Sequence, residues 1–303
     1  MRVFVTGASG FVGSAIVREL IEAGHSVLGL ARSDASAASV AAAGADVHRA
    51  SLEDPEGIAE GARTCDGVIH TAFNHDFSKF KQNCETDRTV IETLGSALAG
   101  SDRPLIITSG TGLLASGQLS SSRLATEADT PATASTSIPR VASEEAAASV
   151  AARRVAVSLV RLPPSVHGDG DHGFVPLLIG IAREKGISAY PGDGRNLWPS
   201  VHRLDAARLF RLALEKGTAG ARYHAVAEEG VPLRDIAEVI GRQLGVPVAA
   251  KPPEDAADHF GWFAHFAALH NPTSSAWTRE KLGWQPEQPD LITDLDRPGY
   301  FAS

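Results

Sequence analysis

Apolar and polar positions change period along this chain in regular alternation. Short runs rich in β-branched residues predict strands at Val3-Phe4-Val5, Ser26 to Ala31, Asp46 to Arg49, Gly67 to Ala72 and Pro104 to Thr108. Between them lie segments with helical spacing: the run opening at Ser14, Ala35 to Ala43, a stretch from Pro55, and a long one from about Phe80 to Ala99. A helix from Pro139 to about Arg153 and a strand from Val155 to Val160 continue the series. Strand following helix in this way predicts an α/β fold: a doubly wound parallel sheet with right-handed crossovers, helices on both faces, and ligands at the strand C-terminal ends. Past about residue 166 the character changes. Short helices near 174-184, 205-215, 232-243, 256-269 and 276-282, brief strands at Ser200 to His202 and Arg222 to Ala225, and many prolines predict a smaller, helix-rich unit.

The organising stretch is the first one. Thr6-Gly7-Ala8-Ser9-Gly10-Phe11-Val12-Gly13 joins the opening strand to a periodic helix. In such a turn Gly7 allows a tight bend, Gly10 lets bare backbone reach a pyrophosphate, and Gly13 lets the helix lie close on the strand. Free amides at the helix start favour an anion, and Ser9 or Thr6 can add hydroxyl donors. The expectation is a dinucleotide site. At the end of the second strand stand Arg32 and Ser33, where an acid would select NAD and an arginine accommodates the 2′-phosphate of NADP. NADP(H) is therefore expected, with Asp34 as the competing acid two residues on. Thr71-Ala72-Phe73 should border the cofactor, and Ser109, at the end of the fifth strand, should face the cleft.

Composition narrows the classes. Of 303 residues, 43% are hydrophobic and 21% charged, enough apolar content for a large core. The net charge of −8 and the lack of a basic cluster argue against nucleic acid or an anionic membrane as partner. No apolar segment reaches membrane-span length and the chain opens on a core strand, so a cytoplasmic protein is expected. The two cysteines, Cys65 and Cys84, lack metal-type spacing and are expected to be reduced and buried, with no metal site. The Ser/Ala/Thr-rich stretch from Ser116 to Ser137 is expected to be a mobile loop or lid.

With these residues in view the chain resembles the extended and atypical short-chain dehydrogenase/reductase superfamily, which includes nucleotide-sugar epimerases. The resemblance runs nearly end to end. It rests on the glycine turn, Asp66-Gly67-Val68-Ile69-His70-Thr71-Ala72, Arg161-Leu162-Pro163 through Val166-His167-Gly168, Pro191-Gly192-Asp193-Gly194, Val201-His202-Arg203-Leu204-Asp205 and Glu280-Lys281-Leu282-Gly283-Trp284. It implies a Rossmann domain over 1-165, rejoined by about 200-226, and a substrate domain in 166-303, mainly 166-199 and 227-303. It also implies cofactor contacts at the glycine turn, Arg32, Ala72, Ser109 and the turn holding Pro163, Ser165 and Val166. A homodimer is expected through the helices near 80-99 and 138-152, helped by Ala142, Ala146 and Ala147.

The family's catalytic Tyr-x-x-x-Lys pair is missing. The tyrosines are Tyr190, Tyr223 and Tyr300, and no lysine lies between Lys81 and Lys185. Aligning by Glu144-Glu145 puts Thr136 or Ser137 at the tyrosine place and Arg140 or Val141 at the lysine place, with Thr136 and Arg140 preferred. Asp87 replaces the family's structural asparagine, and Ser109 keeps its expected identity. Threonine cannot act as a base unaided and arginine keeps its proton, which disfavours reactions that begin by oxidising an alcohol. The expected activity is NADPH-dependent reduction of a small or medium hydrophobic ketone or aldehyde, with Ser109, Thr136, Arg140 and Asp87 as the catalytic set. The alternatives are an NADP-binding sensor without turnover and an epimerase or dehydratase. His167, His172, His202 and Tyr190 are the other proton-donor candidates, and Trp198, Trp262, Phe260, Phe263 and Phe266 form aromatic clusters of the second unit, expected as core, with some able to line an apolar substrate pocket. Asp205 is read as capping the helix that follows His202, and Arg195 as a substrate clamp or a solvated arginine.

Overall fold

The computed structural model describes residues 1–115 and 123–302. The first half alternates throughout: β1 (Arg2–Thr6), α1 (Phe11–Glu22), β2 (Ser26–Ala31), α2 (Asp34–Ala42), β3 (Asp46–Arg49), α3 (Pro55–Arg63), β4 (Gly67–His70), α4 (Phe80–Leu98), β5 (Leu105–Gly110), α5 (Ala142–Ala152) and β6 (Val157–Leu162). Residues 116–122 of the Ser/Ala/Thr-rich stretch lie outside the described residues. Then come β7 (Ser165–His167), α6 (Phe174–Lys185), β8 (Ser188–Pro191), β9 (Leu197–His202), α7 (Arg203–Lys216), β10 (Arg222–His224), β11 (Glu228–Pro232), α8 (Leu233–Leu244), β12 (Val248–Lys251), α9 (Ala256–Phe260), α10 (Ala264–Ala267), α11 (Ala276–Leu282) and α12 (Leu291–Leu295).

The main sheet has seven strands in the order β10-β6-β5-β4-β1-β2-β3, all parallel. Alternation within β1 explains why it is covered on both faces. Val3 and Val5 enter one core with Ile16, Val17 and Leu20 of α1, whereas Phe4 enters the other with Ile58 of α3 and Ile91 of α4. Strand order reverses between β1 and β4, so a crevice opens beyond their C-terminal ends. Close packing of α4 on α5 depends on Gly95, where a Cβ would fall 2.5 Å from a Val150 methyl. Ala142, Ala146 and Ala147 belong to this same interior at 0, 0 and 4% exposure. They seat α5 inside its own chain, which corrects the expectation that they form a subunit face.

The second half holds a three-stranded sheet, β11-β9-β7, and a parallel pair, β12-β8. Its core contains Trp198, Leu233, Ile236, Phe263 and Leu291. The helix expected over 256-269 is broken, because Gly261 at φ +56° ends α9 and a 3-10 turn, Gly261–Phe263, precedes α10. His202, not Asp205, caps α7: its Nδ1 accepts the Leu204 amide, while the Asp205 carboxylate accepts the Glu287 and Gln288 amides at 2.9 and 3.0 Å. Residues 271–284 then turn back, so that Thr273 bridges Ala125 of the first half and the Trp284 indole donates to the Asp205 carbonyl of α7. Cys65 and Cys84 are both buried and unpaired, and burial pushes the Cys84 thiol up to about 11.

Candidate active site

At the β1–α1 turn the glycines are sterically required. Gly7 sits at φ +71°, and a Cβ on Gly13 would fall 1.9 Å from the Gly7 carbonyl oxygen. Gly10 is the N-cap of α1, no side chain caps that end, and its first turn carries no acid. Its amides are thus left for an anion. Ser9 and Gly10 are exposed, Phe11 and Val12 half-buried. Thr6 is turned inward to His70 at 2.7 Å, so of the two hydroxyls expected at the turn only Ser9 is on the surface. Thr71 and Ala72 close the other side of the turn: Thr71 Oγ1 donates to the Thr6 carbonyl at 2.8 Å, and a Cβ on Gly7 would lie 2.8 Å from the Ala72 nitrogen.

At the end of β2, Arg32 is exposed and makes no ion pair among the described residues. Ser33 is the N-cap of α2 in a reciprocal capping box with Ser36. Asp34 is held by Arg49 at 2.6 Å on the neighbouring strand, so the acid that competes with Arg32 is already paired. Beyond β6, Pro163 is buried and Val166 half-buried, and the Ser165 hydroxyl is buried with no partner among the described residues. A bare-backbone cradle, a free cation at the ribose end and an orphaned hydroxyl fit a dinucleotide. The glycine turn would hold its pyrophosphate and Arg32 a 2′-phosphate.

Four residues, His70, Asp87, Arg140 and Ser143, come together from three elements and the turn before α5. His70 Nε2 lies 2.9 Å from Asp87 Oδ1, Arg140 Nη1 donates to Asp87 Oδ2 at 2.9 Å, and the Ser143 hydroxyl donates to the same oxygen. Arg140 also donates to the Thr108 carbonyl at 3.2 Å and lies over the Phe73 ring, 4.4 Å from its centre. Burial alone would raise the Asp87 pKa. The Arg140 charge and the hydrogen bonds from His70 and Ser143 outweigh it, leaving about 2. Val141, the other residue considered for the lysine place, is core.

Ser109 is elsewhere. It is 3% exposed and donates to Glu144 Oε1 at 2.7 Å. Glu144 in turn holds Arg161 through two bonds of 2.7 Å, and Arg161 approaches His224 at 3.2 Å. Along β5, Thr108 bonds the His70 carbonyl and the next side chain takes the opposite face, which corrects the expectation that Ser109 opens on the cleft. Thr136 lies in an exposed turn beside Ser135, which Glu145 anchors by two hydrogen bonds.

His167 is fully buried on Asp294 at 2.8 Å, and His202 belongs to the helix cap. Tyr190 packs at Gly194 in the second half, and Arg195, 87% exposed, pairs with Asp193. Tyr300 accepts the Gly168 amide at 2.9 Å and donates to Asp171 at 3.2 Å. That fixes the loop from Gly168 to Gly173, whose His172 ring meets Phe11 at 5.6 Å, next to the glycine turn.

An aromatic wall that local pattern did not reveal spans the crevice. Phe73 and Phe80 are 6.2 Å apart, Phe77 stacks on Phe80 at 5.6 Å, and Phe77 meets Trp262 at 4.8 Å and Phe266 at 6.0 Å. Trp262 is nonetheless 56% exposed. Rings from the segment after β4 and from around α10 thus form one apolar surface near Arg140 and the glycine turn. No group of residues suited to hold a metal occurs among the described residues.

A protein of Schizosaccharomyces pombe is 51% identical over 301 residues, covering 99% of this chain and 100% of that one. A 4-hydroxy-2-methyl-3-oxo-4-farnesyl-3,4-dihydroquinoline-1-oxide ketoreductase of Stigmatella aurantiaca is 28% identical over 81% of this chain and 74% of its own. The fold is similar to that of DesIV, a dTDP-glucose 4,6-dehydratase of Streptomyces venezuelae solved with NAD, at a TM-score of 0.79 and 22% identity, covering 99% of this chain and 97% of that one. The model of the NAD dependent epimerase/dehydratase family matches residues 3–227, and this chain belongs to that family.

Proposed function

We propose that this protein is an NADP(H)-dependent reductase of a small or medium hydrophobic ketone or aldehyde, working in the cytoplasm. The observation that carries the reading is the aromatic wall beside the strand ends, where Phe73 meets Phe80, Phe80 stacks on Phe77, and Phe77 meets Trp262 and Phe266. A sugar nucleotide needs polar partners, whereas these rings suit a flat apolar body. Arg32 supports NADP over NAD, because it is free while Asp34 is paired. The Stigmatella relative's name describes a ketoreductase of a farnesyl-bearing dihydroquinoline oxide, which supports ketone reduction as the reaction class.

A bound NADPH would supply hydride, and the chain's own residues do the rest. The glycine turn and Arg32 bind, the wall orients the apolar body, and Arg140, locked by Asp87, sets a positive charge beside Phe73. Ser109 acts indirectly, by holding Glu144 and Arg161 under the end of β5. With no Tyr-x-x-x-Lys pair, deprotonation of an alcohol lacks its base, which argues against epimerisation. We propose in addition a homodimer through the outward faces of α4 and α5, where Thr89, Glu92, Ser96 and Ser149 border one open groove. Following NADPH absorbance with aryl ketones, aldehydes and nucleotide sugars tests the activity. Turnover confined to apolar carbonyls is expected; turnover confined to sugar nucleotides, or tight NADPH binding with none at all, would overturn it.

A further inference from the structure

His75 lies two residues beyond Phe73, in the segment that leaves β4 for the cleft. Its ring sits edge-on to Phe73 at 5.3 Å and tilted to Phe77 at 6.5 Å. Its ring is thus held against the two phenylalanines at the near end of the aromatic wall. The side chain is exposed, yet the charges of Arg140 and His172 both reach it. Arg140 lies on the face of the same Phe73 ring, and His172 stands over Phe11 at the glycine turn. His75 therefore stands at the open side of the place where the aromatic wall, Arg140 and the dinucleotide cradle converge. The other polar groups considered for proton transfer have partners of their own: Ser109 holds Glu144, His167 meets Asp294, His172 meets the Gly170 carbonyl, His202 caps α7 and Tyr190 packs at Gly194.

We propose that His75 is the catalytic acid, donating the proton to the carbonyl oxygen of a substrate whose flat apolar body lies on the Phe77–Trp262 wall. This rests on the reductase reading. Reduction converts the C=O double bond to a single bond: hydride from a reduced nicotinamide forms the new C–H bond, and a proton forms the new O–H bond. The imidazolium N–H breaks to supply that proton, and the neutral ring recovers one from water at its exposed side. Although the residue keeps access to solvent, withdrawal of its ring from water between Phe73 and Phe77, then the charges of Arg140 and His172, hold His75 below its ordinary pKa. Asp76, its neighbour on the loop, is engaged with Ser78. Reduction should accordingly slow as pH rises through the His75 titration.

The test uses the full chain loaded with NADP⁺, with benzoate as a stable mimic of the carbonyl oxygen on an aryl ring. In histidine-labelled protein, benzoate should raise the His75 titration midpoint by about one unit or more as seen by NMR. His75→Gln should bind benzoate about 10- to 100-fold more weakly while NADP⁺ affinity by calorimetry is unchanged. With NADPH and benzaldehyde or acetophenone, the same variant should lose about 10²-fold in kcat and the basic limb of its pH profile. Equal benzoate affinity in wild type and His75→Gln, or reduction by His75→Gln at the wild-type rate and pH profile, would overturn the acid role alone. If the wild-type protein reduces no aryl carbonyl, the reductase reading falls and the acid role falls with it.

Discussion

Asp87 and Arg140 meet at 2.9 Å beside the ends of β4 and β5, with Asp87 buried at 2% exposure and Arg140 turned toward the Phe73 ring. Within the resemblance, one replaces an asparagine and the other stands at the lysine place, so the two departures form a single ion pair. A carboxylate this deep requires a cation, and an arginine at this position requires a counter-ion to fix its fork.

Arg140→Met should therefore destabilise the protein by about 3 kcal/mol, because it strands a buried carboxylate, whereas Asp87→Asn, which keeps a partner for His70, should cost less. Urea unfolding at pH 7 measures both. The folded Asp87 pKa of about 2 lies below the unfolded value, so its contribution is complete above the unfolded pKa and is lost as pH falls through about 2. Asp87→Asn should flatten that acid-side decline; an unchanged acid limb would refute the assignment.

Arg32→Ala should weaken NADP binding about 10- to 100-fold and leave NAD binding nearly unaltered, the cost of one charge-assisted phosphate contact at about 1.5–3 kcal/mol. Calorimetry with both dinucleotides decides. Because Arg49 already holds Asp34, removing Arg49 should free that acid and shift preference toward NAD.

Ser109→Ala should reduce stability by about 1–2 kcal/mol, since Glu144 loses one donor and keeps Arg161, while dinucleotide affinity stays at the wild-type value. Thermal unfolding together with NADP⁺ titration checks it. Wild-type stability combined with lost turnover would return Ser109 to the reacting carbonyl.

The glycine turn and the alternating first half were legible because their signals are local: three glycines between an apolar run and a periodic helix leave few other conformations. That Ser109 faces Glu144 is not legible in the sequence, because strand residues alternate faces and a strand-end serine can take either one. The break at Gly261 was hidden by apolar residues on both sides of it. Asp87 was visible as a substitution, but its partners His70, Arg140 and Ser143 are scattered along the chain. Of the aromatic wall, the Trp262 and Phe266 side is legible as a possible pocket lining, but its partner side is not, since Phe77 and Phe266 become neighbours only when the second half folds over the strand ends.

The Gly168–Gly173 loop carries a carboxyl whose protonation opposes the trend at Asp87. Burial pushes Asp171 up to about 6, with the Gly173 amide and the Tyr300 hydroxyl acting against the shift. A folded pKa raised above the unfolded one means that the protonated form is favoured by folding. That stabilising contribution is fully present below pH 4 and is lost as pH rises through about 6. At neutral pH the carboxylate is retained at a cost, with Tyr300 as its donor at 3.2 Å. Asp171→Asn should therefore stabilise the protein at pH 7.5 relative to wild type and gain little at pH 4, a difference measured by urea unfolding at the two pH values. Tyr300→Phe should act in the opposite direction at pH 7.5, because it removes the hydroxyl that meets both Asp171 and the Gly168 amide, loosening the loop that rests His172 on Phe11. Hydrogen exchange at residues 168–173 should then quicken, with a weaker NADP affinity beside it. If Asp171→Asn gives the same stability gain at both pH values, the carboxyl does not titrate between them and the assignment is wrong.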